Sequence, residues 1–268
     1  MKLSNNALKI LEKRYLQEGE TPEERIRAIA KVVASAEGQN QKDWENKFFD
    51  LMNDNLFLPN SPTLMNYGMP GRSPQGSACF VLSIDDDLGD IFETIKEGAL
   101  IHKTGGGTGY NFSSLRPENS LVGGTGKYSS GPISFLKVYD AATESVKQGG
   151  VRKGANMGIL EVWHPDIEKF ITCKSDDKTI NNFNLSVGVT EDFFKAVIDN
   201  KDWELYWINK KGEKEISRTI KARYLFDLII QYAHKNGEPG IIFMDRLQRA
   251  NSVPSVEIEA TNPCGRVN

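Results

Sequence analysis

Apolar positions recur at helical spacing through the first 58 residues. Leu8, Leu11 and Tyr15 share one face of a helix that Ser4 is placed to cap. Thr21-Pro-Glu-Glu24 spells a capping box with proline at the first helical position, and Ile26, Ile29 and Val33 continue that helix's apolar stripe. Trp44, Phe48 and Leu51 predict a third helix. Residues 1–58 are therefore read as a helical segment in which nothing indicates chemistry. The pattern then changes. Residues 58–66 are polar and broken by proline, and 67–76 form a loop rich in Gly, Pro and Ser. From there short apolar runs, read as strands over 78–82, 157–162, 183–189 and 240–244, alternate with amphipathic helices. One helix follows Asp85-Asp-Asp87 with Leu88, Ile91, Ile95 and Ala99 inward. A second opens at Pro132 with Phe135, Val138, Tyr139, Ala142 and Val146 on one face. Others are read over 165–173, over 191–198 behind Thr190, and over 222–235 up to Asn236-Gly237. Residues 203–208 and 215–219 read as a hairpin. This alternation predicts an α/β domain over residues 59–268.

Composition narrows the setting. The 268 residues are 39% hydrophobic and 26% charged, enough for a real core under a solvated surface. A net charge of −3 gives no electrostatic footprint for nucleic acid or an anionic membrane. The N-terminus lacks an apolar signal region, and no apolar stretch approaches the roughly 18 residues a membrane span needs. A cytoplasmic protein is expected. The three cysteines, Cys79, Cys173 and Cys264, are far apart, in no spacing that suggests zinc, so no metal site is expected. Their odd, sparse number fits a reducing compartment, with Cys173 structural.

Three glycine-rich stretches are the candidate chemistry. In His102-Lys-Thr-Gly-Gly-Gly-Thr-Gly-Tyr-Asn111, four glycines in five residues strip side chains from the backbone, which suits either a flexible turn or a surface that a ligand touches closely. The run matches neither a phosphate-binding loop nor a dinucleotide fingerprint. Leu121-Val-Gly-Gly-Thr-Gly-Lys127 ends like a Walker motif but lacks its first glycine and its Ser/Thr. In Lys147 to Asn156, Lys147, Arg152 and Lys153 suit phosphates, and Gln148 or Asn156 a base edge. Cys264, in Asn-Pro-Cys-Gly, fits a buried structural cysteine as well as a reactive one when taken alone.

Seven blocks taken in order resemble the large, catalytic chain of ribonucleotide reductases, most closely the adenosylcobalamin-dependent class. They are Pro59 to Asn66, Gly76 to Leu82, His102 to Asn111, Asp140 to Glu144, Lys147 to Gly158, Asn181 to Val187 and Ala260 to Gly265. The resemblance implies the first half of a ten-stranded α/β barrel, with a finger loop carrying Cys264. It implies that adenosylcobalamin generates a thiyl radical on Cys264, which takes the ribose 3′ hydrogen before the 2′ hydroxyl leaves as water. Asn262 would hydrogen-bond the ribose, and Cys79 would be one of two cysteines that form a disulfide as they supply electrons. Ser61, Thr63 and Ala78 would contact substrate, and Gly106 and Gly107 would line the ribose. Asp86 and Arg116 would hold a deoxynucleotide effector, and Lys147, Gln148 and Arg152 would lie in the loop relaying its identity. The substrate would be a ribonucleoside di- or triphosphate, with an external thiol reductant and a homodimer.

The resemblance ends at Gly265. Arg266 stands where the family has a glutamate, and the second redox cysteine and second half-barrel are not in this sequence. A split, intron-interrupted or truncated product is expected, inactive alone and working with a C-terminal fragment. The alternative is a non-catalytic, effector-binding dimerisation module.

Overall fold

The computed structural model describes residues 2–72, 75–123, 126–146, 154–175, 179–209 and 211–265. They form two compact units. The first holds the described residues up to Ala78, with Thr104–Gly106. In it α1 (Asn5–Arg14) is capped by Ser4, whose Oγ accepts from the Ala7 amide at 3.2 Å. The capping box of α2 (Pro22–Ala34) is complete: the Glu24 amide donates to Thr21 Oγ1 at 3.2 Å, and the Thr21 amide to Glu24 Oε2 at 2.8 Å. Ile26 and Ile29 are buried as expected, whereas Val33 is exposed.

In α3 (Gln41–Asn53) the buried face is one residue away from the expected stripe. Glu45, Phe49 and Met52 point inward, Trp44 and Phe48 are half-buried, and Leu51 is exposed. Glu45 pairs with Arg27 at 3.8 Å and Lys42 at 3.0 Å, and the Arg27 guanidinium covers the Phe49 ring at 3.4 Å. Those contacts turn the helix, while Trp44 and Phe48 pack on each other at 5.4 Å. The proline-rich stretch that follows starts a helix rather than preventing one. Asn60 Oδ1 accepts from the Thr63 amide at 2.9 Å, and Pro62 sits in the first turn of α4 (Ser61–Asn66), where its missing N–H costs nothing. Leu64 of α4 completes a core with Ile26, Ile29, Ala30, Phe49 and Met52.

The second unit follows a strand–helix rhythm. In chain order it contains β1 (Cys79–Val81), α5 (Leu88–Lys103), β2 (Gly107–Asn111), β3 (Leu121–Val122), β4 (Lys127–Tyr128), α6 (Pro132–Val146), β5 (Asn156–Glu161) and α7 (Ile167–Thr172). Then come β6 (Phe183–Val189), α8 (Glu191–Ile198), β7 (Asp202–Ile208), β8 (Lys214–Lys221), α9 (Ala222–Asn236), β9 (Gly240–Phe243) and α10 (Met244–Arg249). Five strands make one parallel sheet in the order β1-β2-β5-β6-β9, so each strand pairs with the next one of the sheet. β3–β4 and β7–β8 are separate antiparallel pairs. This is the expected class, a helical segment followed by part of an α/β barrel.

The two faces of the sheet differ because β-strand side chains alternate. Phe183, Leu185, Val187 and Val189 of β6 enter the main core beneath the helices, with Tyr110, Phe112 and Leu160 from neighbouring strands. The opposite, inner face carries Asn184, Ser186 and Gly188 of β6, and Met157, Ile159 and Glu161 of β5. Two helices depart from the expected stripes. Leu88 is exposed because it opens α5 beside a cavity, and Val138 is exposed because α6 is buried along Leu136, Tyr139 and Thr143. The largest difference is the glycine run of residues 105–109, whose last three residues begin β2. Only Gly105 of that run has positive φ, at 83°.

Candidate functional site

The inner face of the sheet carries the segment that ends at Cys264. Ser83 Oγ donates to Glu259 Oε2 at 2.5 Å, and Asn111 Nδ2 to Glu259 O at 2.9 Å. Two residues back along β2, a Cβ on Gly109 would lie 1.8 Å from Thr261 O; two further back, one on Gly107 would lie 2.8 Å from Pro263 Cγ. Asn184 Nδ2 donates to Pro263 O at 2.7 Å. The segment therefore runs antiparallel to β2, directly on its backbone, from the C-terminal ends of the strands to their N-terminal ends. Ala260 packs on Met157 and Ile159, and Thr261 and Asn262 are buried. The glycines give close approach, as their number suggests, but what approaches is the chain itself.

The tip is a tight turn. Asn262 Oδ1 accepts from the Cys264 amide at 3.1 Å, and Asn262 O from the Gly265 amide at 3.0 Å, with Gly265 at φ 71°. The turn leaves Cys264 exposed while Asn262 stays buried. Cys79 is half-buried on β1, opposite Gly107 in register. Cys264, Asn262, Cys79 and Gly107 thus gather at one end of the inner face. None of the three cysteines is in a disulfide. Burial pushes the Cys173 thiol up to about 12, in keeping with a structural residue.

The other predicted residues fall elsewhere. Ser61, Thr63, Ala78 and Gly106 lie in the first unit. There Ser61 Oγ and the Tyr15 hydroxyl share a hydrogen bond of 2.9 Å, and Thr63 Oγ1 donates to Gly76 O at 3.1 Å. Asp86 and Arg116 meet in the second unit: Arg116 Nε donates to Asp86 Oδ2 at 2.8 Å and its amide to Asp86 Oδ1 at 3.1 Å. The hydrogen bond to Asp86 raises the guanidinium pKa further. The pair borders a cavity of about 230 Å³ with Asp87, Leu88, Tyr128 and Phe135. Lys147, Gln148 and Arg152 lie outside the described residues, as does Arg266.

Sequence reasoning missed Glu161. It closes an apolar strand, and its carboxylate lies where a Gly188 side chain would be, with Cδ 2.6 Å from that Cβ position. Burial pushes its pKa up to about 7, against a hydrogen bond from Asn111. It borders an 890 Å³ cavity at the C-terminal ends of the strands, shared with Asp85, Asp86, Asp245, Glu257 and Glu259. The one sequence signal was a lone acid ending a largely apolar run. Among the described residues no group of three or more His, Cys, Asp or Glu side chains could hold a metal ion, and no helix is long and apolar enough to cross a membrane.

Comparison with known proteins matches the two units in turn. A family model for the ribonucleotide reductase all-alpha domain matches residues 1–72, and one for the ribonucleotide reductase barrel domain matches residues 77–267. A vitamin B12-dependent ribonucleoside-diphosphate reductase of Thermoplasma acidophilum is 51% identical over 230 residues, 85% of this chain and 29% of the relative. One of Mycobacterium tuberculosis is 44% identical over 279 aligned positions, covering 100% of this chain and 40% of the relative. The ribonucleoside-diphosphate reductase subunit alpha of Chlamydia pneumoniae is 27% identical over 268 positions, 89% of this chain and 26% of that protein. The chain thus spans two-fifths or less of the length of these relatives.

Proposed function

The chain belongs to the ribonucleotide reductase family, and we propose that it carries the reactive cysteine of an adenosylcobalamin-dependent enzyme that converts ribonucleotides to 2′-deoxyribonucleotides in the cytoplasm. One observation carries this reading: the Thr261–Gly265 turn sets an exposed thiol at the end of a glycine strand that has Cys79 as its register neighbour. Relatives named as vitamin B12-dependent reductases support the cofactor. Adenosylcobalamin, when bound, supplies the radical chemistry. Cys264 is exposed and no described residue comes within 4 Å of the Gly265 Cβ position, which fits a bulky group that must reach the thiol from outside.

The chain's own residues then have separate tasks. Cys264 exchanges a hydrogen atom with the ribose 3′ carbon. Asn262 sets the turn through its carbonyl. Cys79 gives up a hydrogen with a second thiol, so that a disulfide forms as the 2′ hydroxyl leaves as water, and an external thiol reductant restores the pair. Ser61, Thr63, Ala78, Gly106 and Gly107 contact substrate. Asp86 and Arg116, with Lys147, Gln148 and Arg152, answer to a deoxynucleotide effector in a homodimer. The substrate is a diphosphate, as the relatives' names support, or a triphosphate. The 268 residues alone are expected to be inactive without a C-terminal fragment, because a thiol left this exposed does not shield radical chemistry from water.

The test is reduction of ribonucleoside di- and triphosphates by the enzyme containing this chain, with adenosylcobalamin and dithiothreitol, against Cys264→Ala. Loss of turnover in the variant with retained fold is expected. Undiminished deoxynucleotide formation by Cys264→Ala would sink the assignment, and nucleotide binding without any turnover would favour a binding module.

A further inference from the structure

The start of β2 is short of side chains. In Gly107-Thr108-Gly109, Thr108 is the only one. A strand built this way packs weakly and loses much backbone entropy on ordering. Its inner face must stay bare, because Thr261–Pro263 lies there. What holds it in register is on the other face.

Thr108 is fully buried. Its Oγ1 donates at 2.6 Å to Oδ1 of Asn156, the residue opposite it on β5. His102 Nε2 lies 2.9 Å from the same hydroxyl. Since the hydroxyl proton goes to Asn156, His102 is the donor, which fixes the tautomer with hydrogen on Nε2. Asn156 Nδ2 donates to Thr143 Oγ1 at 2.9 Å, and Thr143 Oγ1 to Tyr139 O at 2.8 Å. The donors all run one way, from α5 through β2 and β5 to α6. Among the described residues His102 Nδ1 is buried without a partner, and the ring is wedged where a Gly154 Cβ would come within 2.8 Å of it. A ring seated with one orphaned nitrogen is held there by what its other nitrogen does.

We propose that Thr108 is a positioning residue for the Cys264 turn: the His102–Thr108–Asn156–Thr143 chain holds the glycine strand from behind, and that strand is the floor on which Thr261–Cys264 is set. Thr108 touches no reacting atom. Its functional weight rests on the reading of Cys264 as the reactive cysteine; its geometry does not.

The test uses the 268-residue chain and residue-resolved amide hydrogen exchange. Thr108→Val keeps the shape and removes the hydroxyl. It removes two buried hydrogen bonds, to Asn156 and from His102, and is expected to speed exchange of the Cys264 and Gly265 amides by about tenfold or more. Thr108→Ser keeps the hydroxyl and is expected to stay within about twofold of the parent. If Thr108→Val does not fold, Thr143→Val cuts the chain further back, leaves β2 untouched, and is read the same way. Unchanged exchange in the valine variant, or a serine variant as fast as the valine one, overturns the proposal. Retained turnover in Cys264→Ala would remove the functional meaning of the turn without altering either exchange result, so the two failures are distinguishable.

Discussion

Replacing Gly109 by alanine tests the architecture where it is tightest. The new Cβ would lie 1.8 Å from Thr261 O and 2.8 Å from Thr261 C, short of an ordinary 3.4 Å contact by about 1.6 Å at the oxygen. Both atoms are backbone, so no rotamer relieves the overlap. β2 is hydrogen-bonded on both sides, to β1 and β5, whereas the Glu259–Pro263 segment is tied down by the Ser83 hydroxyl, by the Asn111 and Asn184 amides and by Ala260. The segment is therefore what lifts. Overpacking of this kind costs about 1–3 kcal/mol. Complete detachment sets a ceiling: three side-chain hydrogen bonds at about 1 kcal/mol each, and roughly 1–2 kcal/mol for the apolar surface of Ala260 and the Thr261 methyl. A loss of about 2–4 kcal/mol is expected, with the core beneath the helices intact. Urea unfolding followed by tryptophan fluorescence reads the stability, and hydrogen exchange of the 259–264 peptide reads the detachment. Gly123→Ala, with no described residue within 4 Å of its Cβ position, is the control. Unaltered exchange in that peptide, with a stability change below about 0.5 kcal/mol, would refute the claim that the glycines exist to seat the segment.

Glu161 makes the fold sensitive to pH. Its pKa is raised from 4.5 to about 7, so the folded state holds the proton more tightly and stability falls as pH rises through that window. The ionised group costs about 3 kcal/mol above it. Glu161→Gln is expected to be more stable than the parent at pH 8 and little different at pH 4; equal urea midpoint shifts at both pH values would contradict this. Asp86→Ala frees Arg116 from a largely buried pair and is expected to cost about 1–2 kcal/mol and to abolish deoxynucleoside triphosphate binding by calorimetry; undiminished binding would remove the pair from the effector site. Thr21→Ala removes the side-chain half of the α2 capping box, the acceptor for the Glu24 amide, and is expected to cost about 1 kcal/mol in thermal unfolding. No change in melting would mean the helix is held by packing alone.

Where local chemistry decides structure, the sequence was legible. The Ser4, Thr21 and Thr190 caps stand where side-chain oxygens and amide donors must meet, and Gly237, at φ 83°, ends α9 as the Asn-Gly pair signals. The alternation along Phe183–Val189 reported a strand with one face in the core. Where a partner decides, it was not. The buried face of α3 is set by Arg27, fourteen residues or more away on another helix.

The glycine strand shows the same limit at the candidate site. Period-two alternation is carried by side chains, and Gly107-Thr108-Gly109 offers only one, so no pattern could mark it as β. Its bareness on one face and the single threonine on the other make sense only once Thr261–Pro263 is laid along it. Family resemblance named Cys264, Asn262, Cys79 and Gly107, and had Gly107 line the ribose rather than carry a peptide. The packing supplies a reason for glycine there: a strand that must carry a peptide on its own backbone can keep no side chain on that face, and it needs a buried polar grip on the other to remain a strand.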